Sequence, residues 1–245
     1  KNNVEIIKEG KKIKDESIGL VLAGVYTALE KTTLAKGVYK QLINDFNSEE
    51  ACLYLAKALT TDKKYGDAHK ILSQCEMKNK DEPSFAFYRG KIEYERGNIK
   101  EAKAFFNKSL KIDKTYYQAV LALGAIYEDK ENSRSAINEY KKFLGYEGNS
   151  LNVPVLTKMV NLMLANETDN EEILEHLENL VSEEPNDLNL KVRLGLIYSE
   201  TAKYEAALKI FKDVLEVVPE SDKIQYYLGA LEQQINNLDS AKNYY

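Results

Sequence analysis

The chain has 245 residues, a formal net charge of −5 and a hydrophobic content of 44%, enough for a continuous core. The acidic balance excludes a general nucleic-acid binder, whose phosphate contacts need clustered Lys and Arg. Arginine stands only at Arg89, Arg96, Arg134 and Arg193, which leaves few bidentate forks, and no apolar run approaches the roughly 20 residues of a membrane-spanning helix.

Residues 1–15 read as a lead-in, with the basic run 8–14 a solvated surface. From residue 16 onward small residues recur at a fixed interval. Ala56 precedes Ala68 by 12 residues, and the same step joins Gly90 to Ala102, Gly124 to Ala136, Gly195 to Ala207 and Gly229 to Ala241. Gly90 to Gly124 and Gly195 to Gly229 are both steps of 34. That period marks a helix–turn–helix unit copied and stacked as a solenoid. Glycine inside a helix costs about 1 kcal/mol relative to alanine, so its recurrence demands a packing reason.

In chain order the units are expected at 16–48, 49–82, 83–116, 117–153, 154–187, 188–221 and, incomplete, 222–245. The first is irregular, carried by Leu22, Ala23, Tyr26, Ala35, Tyr39 and Leu42. In the fourth, Val120, Leu123 and Tyr127 form an inner stripe answered by Tyr140 and Phe143. From Ala136 to Ile173 the interval is 37, so three residues are inserted, and the turn formers of 145–154 are the expected place. This puts Asn161 at the small position and makes 145–187 a degenerate repeat, its insertion either a tolerated surface loop or a hinge between two blocks. Leu194, Gly195, Tyr198, Ala207, Phe211 and Val214 restore the pattern before Pro219 closes the unit. The sequence stops at Tyr245 inside a second helix, leaving Tyr244 and Tyr245 without a stacking neighbour; a natural chain that continues is the expectation.

Residues 188–219, and 227–245 as far as they run, resemble the tetratricopeptide repeat, whose pattern has a large residue, Leu-Gly, Tyr, then Ala, an aromatic, a small residue and Pro. The resemblance covers roughly 16–245. It departs in having no Trp, and in placing Arg89 where Leu and Glu93 where Tyr is usual. It implies an all-α fold, a right-handed superhelical α-solenoid of stacked antiparallel helix pairs, with the first helices lining a concave surface. On each first helix the residues three before, one after and four after the small position are then the groove. The expected partner contacts are Leu53, Lys57, Phe87, Lys91, Tyr94 and Leu121. Leu20, Leu53, Phe87, Leu121, Val192 and Tyr226 form an apolar stripe suited to an amphipathic helix or extended peptide, or else pack among themselves. Lys57 and Lys91 hold the same position one repeat apart, a helix spacing of roughly 8–10 Å, and so are placed to share one carboxylate. The asparagines of a chaperone-tail clamp are missing, and no such clamp is expected.

The sequence shows no Gly-rich phosphate loop, His-Glu-x-x-His, Cys-x-x-Cys or G-x-S-x-G pattern, and neither catalysis, a cofactor nor a metal is expected. His69 and His176 read as surface or half-buried side chains. The acidic run 169–185 reads as a solvated outer face, with an acidic docking patch the alternative. Cys52 and Cys75 both fall at core positions of one repeat and read as two buried thiols, with redox pairing the alternative. The expected function is a non-enzymatic protein–protein scaffold, binding an acidic or amphipathic peptide or helix, in a bacterial multiprotein complex of cytoplasm or periplasm. A regulatory or substrate-selecting arm of a larger enzyme is the alternative, and self-association through exposed repeat ends a further one.

Overall fold

The computed structural model describes residues 12–166 and 168–245, so most of the expected lead-in lies outside the described residues. Those residues form fourteen α-helices and no strand. The chain divides into two compact units, Lys1–Leu123 and Gly124–Tyr245.

The first unit holds α1 (Glu16–Ala28), α2 (Thr32–Phe46), α3 (Glu49–Thr61), α4 (Tyr65–Lys78), α5 (Pro83–Glu95) and α6 (Ile99–Ile112), paired in that order. α7 (Tyr117–Glu128) contains the boundary between units. The second unit continues with α8 (Ser133–Leu144), α9 (Val153–Ala165), α10 (Asn170–Glu183), α11 (Leu188–Glu200), α12 (Tyr204–Val217), α13 (Asp222–Gln234) and the short α14 (Leu238–Lys242).

In the first unit the two helices of a pair start differently. α1, α3 and α5 are capped by side chains: Asp15 accepts from the Ile18 amide, Ser48 from Ala51 and Glu82 from Ser84. α2, α4 and α6 have no side-chain cap and begin straight from a tight turn. That turn is the same throughout. Seven residues after the small position the backbone is left-handed, at Glu30, Lys63, Gly97, Glu131, Ala202 and Asn236. The next amide then donates five residues back, as Lys31 to the Tyr26 carbonyl, Lys64 to Leu59 and Asn98 to Glu93 in the first unit, each 2.8 Å. These are the paired closing bonds of a Schellman motif, which use up carbonyls that the ending helix leaves open.

What sets the two helices of a pair so close is a ring laid on a glycine. A Cβ on Gly90 would stand 2.6 Å from Phe106 Cε1, and one on Gly195 2.7 Å from Phe211 Cζ. Gly124 meets the Tyr140 ring more tightly still, and Gly229 meets Tyr245. In each case the ring lies 16 residues on. Phe106, Tyr140 and Phe211 are buried, and the Tyr140 hydroxyl donates to Glu128 at 2.9 Å. Burial, with that bond, pushes the Tyr140 hydroxyl well above its ordinary pKa.

The middle repeat corrects the expected register. Asn161 is exposed, while Val155, Leu156, Met159, Val160 and Met163 are buried, the spacing seen around Ala56 as Ala51, Cys52, Leu55, Ala56 and Leu59. Val160 therefore holds the small position. Thr168 donates to the Met163 carbonyl at 3.2 Å, the same closing bond in that frame. From Gly124 to Val160 is 36 residues and from Val160 to Ile173 is 13. Two inserted residues thus lie before α9 and one in its turn, where Asp169 rather than its predecessor caps α10. The longer loop is pinned by Asn149, buried, donating to the Phe143 carbonyl, and Asn152 caps α9. In the acidic run Glu171 pairs with Lys203, Glu172 with Lys141, and Glu178 accepts from the Tyr198 hydroxyl.

The family departures in α5 also have a structural reason. Glu93 is buried and accepts from His69 at 2.6 Å, Arg96 at 3.0 Å and Asn98 at 2.6 Å. Arg89 reaches Glu76 at 2.9 Å and lies 4.4 Å from the Phe105 ring centre. Glu232 repeats the arrangement in the second unit, buried and bonded by Asn237. Burial alone would raise Glu93, but the bonds from Asn98 and His69 and the charge of Arg96 outweigh it and hold the carboxyl below its ordinary value. Burial keeps His69 below its ordinary value as well, against the pull of Glu93, so the half-buried imidazole donates to the carboxylate as a neutral ring.

Two predictions arise. Gly124→Ala is expected to cost about 1–3 kcal/mol despite the better helix former, while Gly24→Ala, with open space around it, gains about 0.5–1 kcal/mol. Urea unfolding followed by circular dichroism checks this, and shifts of the same sign would refute the packing account. For Glu93, the depressed folded pKa means its contribution is present above the unfolded value of about 4.3 and is lost as pH falls through the lower folded value. Glu93→Gln should therefore lose about 1–3 kcal/mol at pH 7 and converge on the parent protein at pH 3; a gap independent of pH would contradict it.

Candidate functional site

In the first unit the first helices of successive pairs leave two clefts between them. The larger, of about 610 Å³, lies between α1 and α3 and is lined by Leu20, Val21, Gly24, Thr27, Ala28, Tyr39, Glu50, Tyr54, Lys57, Ala58 and Thr61. The smaller, of about 180 Å³, lies between α3 and α5 and is lined by Ala56, Lys57, Thr60, Thr61, Tyr88, Lys91, Ile92 and Glu95.

Lys57 borders both clefts and shares the smaller with Lys91, so the structure brings the two expected lysines to one place. Both are exposed, and neither enters a salt bridge among the described residues. The Lys91 ammonium lies 5.6 Å from the Tyr88 ring centre and 5.9 Å from that of Phe87. The other expected contacts sit differently. Leu53 is half-buried against the core, Phe87 is half-buried among the Tyr88, Phe106 and Tyr116 rings, and Tyr94 and Leu121 are half-buried. None of these four lines either cleft. Along the expected apolar stripe, Leu20, Leu53, Phe87, Leu121 and Val192 are half-buried and Tyr226 alone is exposed.

The positions that recur in the lining of both clefts lie two before, one after and five after the small residue. They are Tyr54, Lys57 and Thr61 on α3, and Tyr88, Lys91 and Glu95 on α5. A helix turns 100° per residue, so this stripe sits about 130° round from the small residue, against about 70° for the expected one. Tyr54, Tyr88, Thr61 and Glu95 thus lie outside the expected set. Tyr54 is 45% exposed and stacks on Tyr39 at 5.6 Å between ring centres. A hydrogen bond to Glu50, and that residue's charge, raise its hydroxyl above the ordinary value. Burial pushes the neighbouring Tyr116 hydroxyl up to about 12, so it stays protonated at physiological pH.

The second unit has a cleft of about 580 Å³ beside α11, lined by Leu164, Thr168, Asp169, Asn170, Ile173, Arg193, Leu196, Ile197 and Glu200. Its polar groups face one another. Arg193 donates to Asn161 at 2.5 Å and Asn170 to Glu200 at 2.9 Å. The lysine-bearing clefts of the first unit are the better candidate for an external ligand. His176 is half-buried, and among the described residues no group of three metal-ligating side chains converges. No described helix is long and apolar enough to cross a membrane.

The sequence pattern of the tetratricopeptide repeat matches residues 89–116 and 188–220. No curated protein matches the chain in sequence. Among solved structures the fold is similar to YrrB, described as a TPR protein with an unusual peptide-binding site: 20% identity over 71% of this chain and 88% of that one, with a TM-score of 0.51. It is similar also to the C-terminal part of a TPR repeat-containing protein from Cytophaga hutchinsonii, at 16% identity over 91% and 88% of the two chains and a TM-score of 0.57. A human IFIT1 dimer with PPP-AAAA shares 14% identity over 94% of this chain and 54% of that one, with a TM-score of 0.50. At these identities the likeness is one of fold. The tetratricopeptide repeat is thus matched at two stretches, in the α5–α6 and α11–α12 pairs, and the fold of the chain is that of solved TPR proteins.

Proposed function

We propose that the chain is a non-enzymatic protein-interaction scaffold whose first unit seats a peptide segment of a partner protein along α1, α3 and α5. The observation that carries this reading is the doublet Tyr54/Lys57 and Tyr88/Lys91, the same cleft-lining positions on successive first helices. A tyrosine face offers rigid contact area at low entropic cost, and an ammonium three residues on offers a carboxylate partner. Glu50 and Glu95 border the same clefts, so the fitting peptide brings its acidic side chains to the lysines and apolar ones to Leu20, Val21 and the tyrosines. The peptide site named for YrrB, on a similar fold, supports a peptide ligand here.

A displayed random-peptide library panned over the intact chain tests this. Enriched peptides are expected to be acidic and to bind Lys57→Glu/Lys91→Glu about ten- to thirty-fold more weakly, a loss of about 1–2 kcal/mol. Tyr88→Ala should weaken them by a similar factor. Peptides that bind all three proteins alike would overturn this placement of the site.

A further inference from the structure

The chain has two cysteines, and both stand at facing positions of one helix pair: Cys52 near the start of α3 and Cys75 near the end of α4. They form a disulfide, where sequence favoured two buried thiols. The Cα atoms are 6.6 Å apart, within the range of about 4.4–6.8 Å that a disulfide spans without backbone movement. The turn at 62–64 joins one end of the pair, and the bond joins the other. In the next pair the matching positions are Ala86 and Ser109, and there Ser109 donates to the Pro83 carbonyl at 2.9 Å, again tying the open end. Small side chains therefore satisfy this seam, and packing alone does not call for two cysteines. Both sulfurs are buried, at 1% and 2% residue exposure, so neither is open to exchange once the pair has closed.

We propose that Cys52–Cys75 is a permanent cross-link made during folding, and that the chain therefore matures in an oxidising compartment outside the reducing cytosol. Formation needs an oxidant, and a thiol oxidoreductase carrying its own disulfide balances the step. One cysteine thiolate attacks that disulfide, giving a mixed disulfide and one enzyme thiol. The second cysteine, as thiolate, displaces the enzyme's other sulfur. One S–S bond forms in the chain and one is lost in the enzyme, which leaves with two thiols; two electrons pass to it. Such bonds persist in oxidising compartments and are rare in the cytosol, where dithiol reductants keep thiols reduced. This inference does not depend on the peptide reading of the clefts.

The test traps thiols in the source cells, lysed into denaturant with N-ethylmaleimide, before the chain is isolated and mapped by mass spectrometry. The expected result is a cross-linked Cys52–Cys75 peptide, with neither cysteine alkylated unless reductant comes first. Alkylation of both without reductant would overturn the proposal. As a second measurement, Cys52→Ala/Cys75→Ser transplants the neighbouring pair's own residues. It is expected to keep the helical circular dichroism and to melt roughly 5–10 °C below the oxidised parent, level with the reduced parent. Equal melting of the variant and the oxidised parent would show that the bond tethers nothing.

Discussion

The close approach of a ring to a bare glycine backbone is the constraint on which each helix pair rests. Phe106 over Gly90, Tyr140 over Gly124 and Phe211 over Gly195 leave no room for a methyl group. Once that distance is set, the turn must be short, and a short turn between antiparallel helices needs one left-handed residue. The same residue spacing then recurs in the capping bonds, in the buried alanine of the second helix and in the face left open to solvent. In the pair with Ala56 at the small position the ring is replaced, and Leu72 stands 16 residues on, buried.

Charge enters this framework where it can be satisfied. The first unit admits a carboxylate at a position the family fills with tyrosine because Glu93 finds three donors, one of them the residue that opens α6. The second unit makes the same exchange at Glu232 with Asn237. Buried charges of this kind require partners and so tie the first helix to the turn that follows it. The open stripe obeys a different rule. There Lys91 meets aromatic faces rather than a carboxylate, while in the second unit Arg193 and Glu200 are each engaged by a neighbouring asparagine.

The fold was legible because its central contact dictates residue identity. Only glycine fits under the ring where the two helices are closest, and its period of 34 is visible by inspection. The middle repeat was less legible because a sequence interval reports the sum of insertions and not their places. Three extra residues fit one loop as well as two sites, and the exposure of Asn161 beside the burial of Val160 was needed to divide them. The clefts share Leu20, Thr27, Lys57, Thr60 and Lys91 with the expected groove and add a stripe about 60° further round each helix. Lys57 and Lys91 belong to both candidate faces, but Leu53 and Phe87 look like groove residues only until their packing against the core is seen. Tyr54 and Tyr88, which line the clefts, carried no signal apart from their own repetition. Cysteine pairing was illegible in the same way, since facing positions on a hairpin are far apart in sequence.

The recurring left-handed residue has a consequence for how the array breathes. Only Gly97 occupies it without a Cβ, and Asn236 belongs to the type that tolerates it best, whereas Glu30, Lys63, Glu131 and Ala202 each carry a penalty of about 1–2 kcal/mol. In a solenoid that penalty is local, because each pair leans only on its neighbours. The turns at Glu30, Lys63, Glu131 and Ala202 are thus the points where amide protection against hydrogen exchange is expected to be weakest relative to packing, and the turn at Gly97 where it is expected to be strongest. Opening of the array is thereby graded along the chain, with the α5–α6 hairpin, which carries Lys91, the most reluctant to part.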